Sequence, residues 1–166
     1  VFTETTLSPF DHNTVFMKVG VKGKEISESR RQPLRLTMVI DVSGSMGYDT
    51  RLELVKRGLH MIVDRLDSED QIGIVTFGST ARVVLSPVPG DRKRQILAVI
   101  DNLYATGSTY AEAGLKLGYE MASEQYTAGH TNRIILCSDG VANVGRTGPE
   151  EIMREVTRNA QSGITL

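Results

Sequence analysis

The sequence predicts an α/β protein with a Rossmann-like, doubly wound, mainly parallel sheet and helices on both faces. Three observations carry this. Beyond residue 34 the hydrophobic period switches repeatedly between that of a strand and that of a helix. Two strand-like runs, LRLTMVIDV and NRIILCS, are almost continuously apolar, as expected where a strand is covered on both sides. Amphipathic stretches of helical length separate the runs, which is the signature of βαβ units.

The elements follow in order. Residues 1–13 are polar and turn-rich and read as a loose lead-in. In TVFMKVGVK (14–22), Val15, Met17, Val19 and Val21 share one face, giving an expected half-buried strand. GKEISESRRQP (23–33) is charged, ends in Pro33 and reads as a linker. The expected division is therefore 1–33, a lead-in with one strand and a linker, and 34–166, an α/β domain.

Within that domain LRLTMVIDV is the first core strand. Leu52, Val55, Leu59, Ile62 and Leu66 then mark one helical face over 51–66. QIGIVTF (71–77) is strand-like, and ARVVLSPV (81–88) is a strand whose Pro87 places it at an edge. Ile96, Leu97, Ile100 and Leu103 predict a helix over 92–103. Ala113, Leu117 and Met121 predict another over 110–122. NRIILCS (132–138) is a buried strand, 150–161 a helix with Ile152, Val156 and Ala160 on one stripe, and ITL the start of a further strand. The motif T-x-x-E at Thr50–Glu53, Thr109–Glu112 and Thr147–Glu150 matches a capping box.

Composition excludes several function classes. The 166 residues are 40% hydrophobic and 23% charged, enough for a globular core. With 19 basic and 20 acidic residues the net charge is −1, so a polyanion-binding surface is not indicated, and Arg30-Arg31 and Arg92-Lys93-Arg94 read as solvated faces. Tryptophan is absent and aromatics are 5%, so base- or sugar-stacking platforms are poorly supplied. The single cysteine, Cys137, excludes an intrachain disulfide and reads as a small core residue. No apolar stretch approaches the roughly 18 residues that span a bilayer. The start at Val1 and the end on GITL are expected to be cuts from a longer protein. His12, His60 and His130 are scattered and carry no expected chemistry, while Met38, Met61 and Met121 fall on apolar positions and read as core.

In open α/β sheets ligands bind beyond the carboxyl ends of the strands. Three loops qualify: Asp41, Ser43 and Ser45 after the first core strand, Ser108 and Thr109 before the helix at 110, and Ser138, Asp139 and Gly140 after the strand at 132. They offer two carboxylates and several hydroxyls, with no histidine or thiolate. An all-oxygen donor set suits Mg²⁺, Mn²⁺ or Ca²⁺ rather than zinc or copper. Gly44 is expected to let the chain turn so that both serine hydroxyls converge. Each residue also has a plainer reading. Asp41 and the two serines would serve a turn or cap, Thr109 would serve as an N-cap with Glu112, and Asp139-Gly140 would be a turn. Three separate loops matching together favour the metal.

DVSGSM at 41–46, GST at 107–109 and SDG at 138–140 resemble the three loops of the metal-ion-dependent adhesion site (MIDAS) of von Willebrand factor type A (vWA) domains. The resemblance covers about 34–166, and RLELVKRGL and LCSDGVANVG look like bacterial members. It implies that Ser43, Ser45 and Thr109 ligate a Mg²⁺ (or Mn²⁺ or Ca²⁺) by their hydroxyls. Asp41 and Asp139 would act directly or through water, and a protein partner would supply a Glu or Asp to the metal. It implies an adhesion or interaction module rather than an enzyme, and an exported or membrane-tethered bacterial setting. Set against the family pattern, the domain is incomplete at its C-terminus and the strand at 14–22 is an addition. Two rival readings stand. In a metal-assisted, phosphoesterase-like hydrolase, Asp41 would be the strand-end carboxylate; Ser43 occupies the place of its second carboxylate, and no Lys or Arg follows close by in sequence to hold a phosphate. In a purely structural domain the site would be vestigial. On the leading reading, Asp41→Ala or Asp139→Ala is expected to remove the metal without unfolding the domain.

Overall fold

The apolar run after Pro33 forms the middle of a five-stranded sheet, as its two-sided hydrophobicity requires. In the computed structural model, which describes residues 2–7, 14–20, 31–139, 154, 156–158 and 160–166, the chain divides into two units, Val1–Arg31 and Gln32–Leu166. The first holds β1 (Phe2–Leu7) and β2 (Val15–Gly20), paired antiparallel. The second holds β3 (Leu34–Asp41), α1 (Arg51–Arg65), β4 (Gln71–Phe77), β5 (Ala81–Pro89), α2 (Lys93–Asp101), α3 (Ala111–Glu124), β6 (Thr131–Cys137) and β7 (Ile164–Thr165).

The sheet order is β5-β4-β3-β6-β7. β3 pairs parallel with β4 and with β6, β6 pairs parallel with β7, and only the β4–β5 hairpin is antiparallel. Pro87 therefore sits on an edge strand, where the missing N–H is harmless. Alternation along β3 divides the core. Leu36, Met38 and Ile40 point to one face and pack with Leu52, Leu59 and Val63 of α1 and Ile96 and Ile100 of α2. Val39 points to the other and packs with Val75, Phe77 and the α3 residues Ala111, Tyr119 and Ala122. Helices thus cover both faces, as the sequence predicts.

Several expectations need correcting. The segment 1–13 is not all lead-in, since Phe2–Leu7 is a strand. FTETTL carries no apolar alternation, and its threonines favour extended backbone without announcing burial. The expected half-buried face of β2 is open at both places where it is described, Val15 being 58% and Met17 66% exposed. Met61 is 67% exposed, while Met38 and Met121 are buried as expected. The stripe Ala113–Leu117 is only half-buried. The deepest face of α3 runs through Ala111, Gly114, Leu115, Gly118, Tyr119 and Ala122. Glycines do not register as apolar in a periodicity count, yet here they let the helix lie close on the sheet. The Thr147–Glu150 motif and Ile152 fall outside the described residues. Within 154–161 the described residues are helical, and Val156 packs on the α3-side core.

Candidate metal centre

Parallel pairing brings the predicted loops to one edge. β3 and β6 run in register with Ile40 opposite Cys137, so Asp41 and Ser138 follow side by side. Ser138 Oγ donates to Asp41 Oδ2 at 3.0 Å, and Ser43 N–H donates to Asp41 Oδ1 at 2.8 Å. Asp41 and Ser43 are fully buried. A buried carboxylate needs such donors, because desolvation without them costs several kcal/mol. Both oxygens are held. Ser43 Oγ and Ser45 Oγ lie 3.1 Å apart, so the two hydroxyls do converge.

The second loop is tied to the first by backbone. Thr106 N–H donates to Val42 O at 2.7 Å and Gly44 N–H to Gly107 O at 2.9 Å. Gly44 is not in a left-handed turn; a β-carbon there would stand a tight 3.2 Å from Gly107 O. Gly107 itself has φ +76°, and a β-carbon would meet Ser79 Oγ at 2.3 Å. The β4–β5 turn joins in. Tyr110 N–H donates to Gly78 O at 2.9 Å, and Ser108 N–H to Ser79 Oγ at 3.0 Å. Sequence reasoning did not include Gly78 and Ser79, because their role appears only once the hairpin folds back. Thr109 is half-buried between these anchors. The N-cap of α3 is Tyr110, with no side-chain capping bond, so the Thr109–Glu112 box is not formed. Among the described residues the structure gives Thr109 no hydrogen bond to Ser43 or Ser45.

Asp139, in the third loop, has a side chain only 6% exposed. Its Oδ2 accepts from Arg51 Nη1 at 2.6 Å. Arg51 also lies 3.6 Å from Asp49 Oδ2. The structure records no hydrogen bond between Asp139 and Asp41 among the described residues, and Gly140 lies outside them. Thr50, expected to cap α1, occupies the N-cap position but at φ +60°, and its hydroxyl bonds Asp49 O at 2.6 Å instead. His60 pairs with Asp101 on the surface and His130 is half-buried with its ring near Ala128 O, both away from these loops, while His12 lies outside the described residues. Cys137, next to Ser138, has its thiol pushed above the ordinary value by burial.

The donor set fits a hard divalent cation. Octahedral Mg²⁺ with ligands at 2.0–2.1 Å places adjacent oxygens about 2.9 Å apart, and right-angle ligands of Ca²⁺ at 2.4 Å stand about 3.4 Å apart. The 3.1 Å between the serine hydroxyls falls in that interval. Among the described residues no group of three or more His, Cys, Asp or Glu could hold a metal, so hydroxyls would have to supply much of the coordination, as a hard cation allows.

The family model of the von Willebrand factor type A domain matches residues 36–141. The chain is similar to the uncharacterized protein YfbK of Escherichia coli strain K12, 37% identical over 163 residues that make up 98% of this chain and 28% of YfbK. Among solved structures it is similar to a von Willebrand factor type A protein from Catenulispora acidiphila (TM-score 0.65, 20% identity, 81% of this chain and 32% of that one). It also resembles the vWF domain of the type V pili tip protein Mfa5 from Porphyromonas gingivalis (TM-score 0.59, 22% identity, 72% of this chain and 43% of that one). The chain spans under a third of YfbK and of the Catenulispora protein.

Proposed function

This chain belongs to the von Willebrand factor type A domain family, and from that premise we propose that it is a protein-interaction module whose contact depends on a divalent cation held by Ser43, Ser45 and Thr109, with Asp41 and Asp139 acting directly or through water. The observation that carries the reading is the pair of serine hydroxyls 3.1 Å apart beside a fully buried carboxylate already oriented by two donors. Asp41 and the two serines are oriented in advance, so a cation would meet that part of the set preorganised. Solved pilus proteins of the same fold, among them a pilus adhesin and a pili tip protein, support an adhesive role.

Bound there, Mg²⁺, Mn²⁺ or Ca²⁺ would act as a Lewis acid for the carboxylate of an incoming Glu or Asp. The residues of this chain do the rest. Asp41 anchors the DVSGS turn through Ser43 N–H, Ser138 fixes its second oxygen, and the Gly44–Gly107 bond holds the Thr109 loop against it. Mostly neutral hydroxyl ligands leave the ion electrophilic and receptive to an outside anion.

The case against a hydrolase loses one of its supports. An arginine does stand at this edge, although Arg51 is ten positions from Asp41 in sequence. Its charge is already faced by Asp139 and Asp49, and no second carboxylate follows at position 43. Calorimetric titration of the chain with Mn²⁺ and Mg²⁺ tests the metal. One site is expected, lost in Asp41→Asn. A pull-down from source cells with and without EDTA tests the partner. Absence of any cation binding, or metal-dependent phosphoester turnover that Asp41→Asn abolishes, would displace this reading.

A further inference from the structure

We propose that Arg51 sets the affinity of the site by competing with the cation for Asp139, a regulatory role that rests on the metal reading above. Two positive charges cannot both take full benefit from one carboxylate, and whatever holds Asp139 lowers the affinity of the other. Arg51 has a firm hold: Nη1 is 2.6 Å from Asp139 Oδ2, against a side chain 6% exposed. Desolvation on the carboxylate side strengthens such a pair relative to an open surface one. Arg51 also has somewhere else to go. Its own side chain is 37% exposed, and Asp49 Oδ2 waits 3.6 Å from Nη2 on an 84% exposed side chain. The guanidinium is therefore placed between a buried carboxylate that the cation also needs and an open one that it does not.

Its position in the fold argues against a bland helix-surface arginine. Arg51 is the first residue of α1, the end where the helix dipole disfavours a cation. Asp49 and Thr50, just before it, both take left-handed backbone at φ +51° and +60°. Aspartate tolerates that region but the β-branched Thr50 does not, so the turn that delivers the guanidinium to Asp139 is held against the preference of Thr50.

The test titrates Mn²⁺ by calorimetry into the wild-type chain, Arg51→Gln, Arg51→Lys and Asp139→Asn, with circular dichroism in EDTA to establish that each variant is folded. Competition predicts Arg51→Gln to bind Mn²⁺ about 3- to 10-fold more tightly than wild type. Arg51→Lys, a point charge without the planar fork, should fall between. Long-range repulsion alone would also favour Arg51→Gln, so the double variant decides. In an Asp139→Asn background the gain from Arg51→Gln should vanish. A gain that persists undiminished there, or an Arg51→Gln that binds as wild type or more weakly, overturns the proposal while leaving the metal site intact. Should Asp139→Asn abolish binding outright, the order Gln, Lys, Arg decides, and any other order overturns it. If Arg51→Gln fails to fold, a Lys variant no tighter than wild type does the same. Binding seen only in Arg51→Gln supports the competition. Binding in none of the proteins removes both this inference and the reading beneath it.

Discussion

The same substitution, Gly→Ala, should have opposite signs in two helices. At Gly58, in the exposed middle of α1, an added β-carbon has nothing within 4 Å. Only the backbone preference changes, and Ala should stabilise by about 0.8–1 kcal/mol. At Gly114 the β-carbon would lie 2.5, 2.6 and 2.7 Å from Cδ1, Cγ and Cβ of Phe77. Carbon atoms pack at about 3.5–4.0 Å, so the helix is roughly 1 Å too close to accept it. Phe77 is fully buried and its Cβ is fixed to β4, so α3 must move. Overpacking of this kind costs about 1–3 kcal/mol, and the clash with a backbone-fixed atom places it near the top. Less the helix-propensity gain, Gly114→Ala should lose about 1–2 kcal/mol. Gly118→Ala should lie between, since its β-carbon meets chiefly the branch tip Val39 Cγ2 at 2.4 Å. Equilibrium urea unfolding reads the order directly, at unchanged m-value. A Gly114→Ala chain as stable as wild type would refute the claim that α3 is seated through its glycines. Because α3 begins two residues after Thr109, the same variant should also weaken Mn²⁺ binding.

Three further outcomes follow from local geometry. Thr50→Gly should stabilise by about 0.5–1.5 kcal/mol, because glycine tolerates φ +60° and a β-branched residue does not; thermal unfolding in EDTA measures it. Asp41→Ala should cost about 1–3 kcal/mol as well as the metal, since it strips the acceptor from the buried Ser43 N–H, whereas Asp41→Asn keeps an acceptor there and should lose metal with less destabilisation; denaturant midpoints without metal separate the two. The raised thiol value of Cys137 means the unfolded chain loses its proton first as pH climbs past about 8.5, so stability linked to this group is intact below that value and declines above it; a Cys137→Ala variant should show a flatter alkaline fall in unfolding free energy.

What could be read from the residues was whatever hydrophobic period encodes. The run QIGIVTF is β4 end to end, and the two-sided apolar strands at 34 and 132 are the sheet's centre and its neighbour. What could not be read depends on the absence of a side chain or on distance along the chain. Gly114 and Gly118 seat α3 by offering no β-carbon, which a count of apolar residues cannot register. The threonines at 50 and 109 carry the letters of a capping box. The left-handed backbone at Thr50 and the N-cap of α3 falling on Tyr110 rather than Thr109 deny both the bond. The partnership of Arg51 with Asp139 spans 88 positions, and nothing around either residue announces the other.

The site, unlike those details, follows from the direction of the strands. Because β3 and β6 are parallel and paired Ile40 to Cys137, the residues that leave both strands emerge at the same edge, one step apart. An antiparallel pairing would have sent Ser138 and Asp139 to the opposite end from Asp41, and the same letters would have made two unrelated turns. The β3–β4 register, Asp41 opposite Phe77, delivers Gly78 and Ser79 to that edge as well, where they brace the Thr109 loop. Inferring parallel strands from continuous apolar runs is therefore already inferring that DVSGS and SDG meet. On the proposed metal reading, what strand direction leaves to chemistry is how strongly Asp139 would prefer a divalent cation over the Arg51 guanidinium beside it.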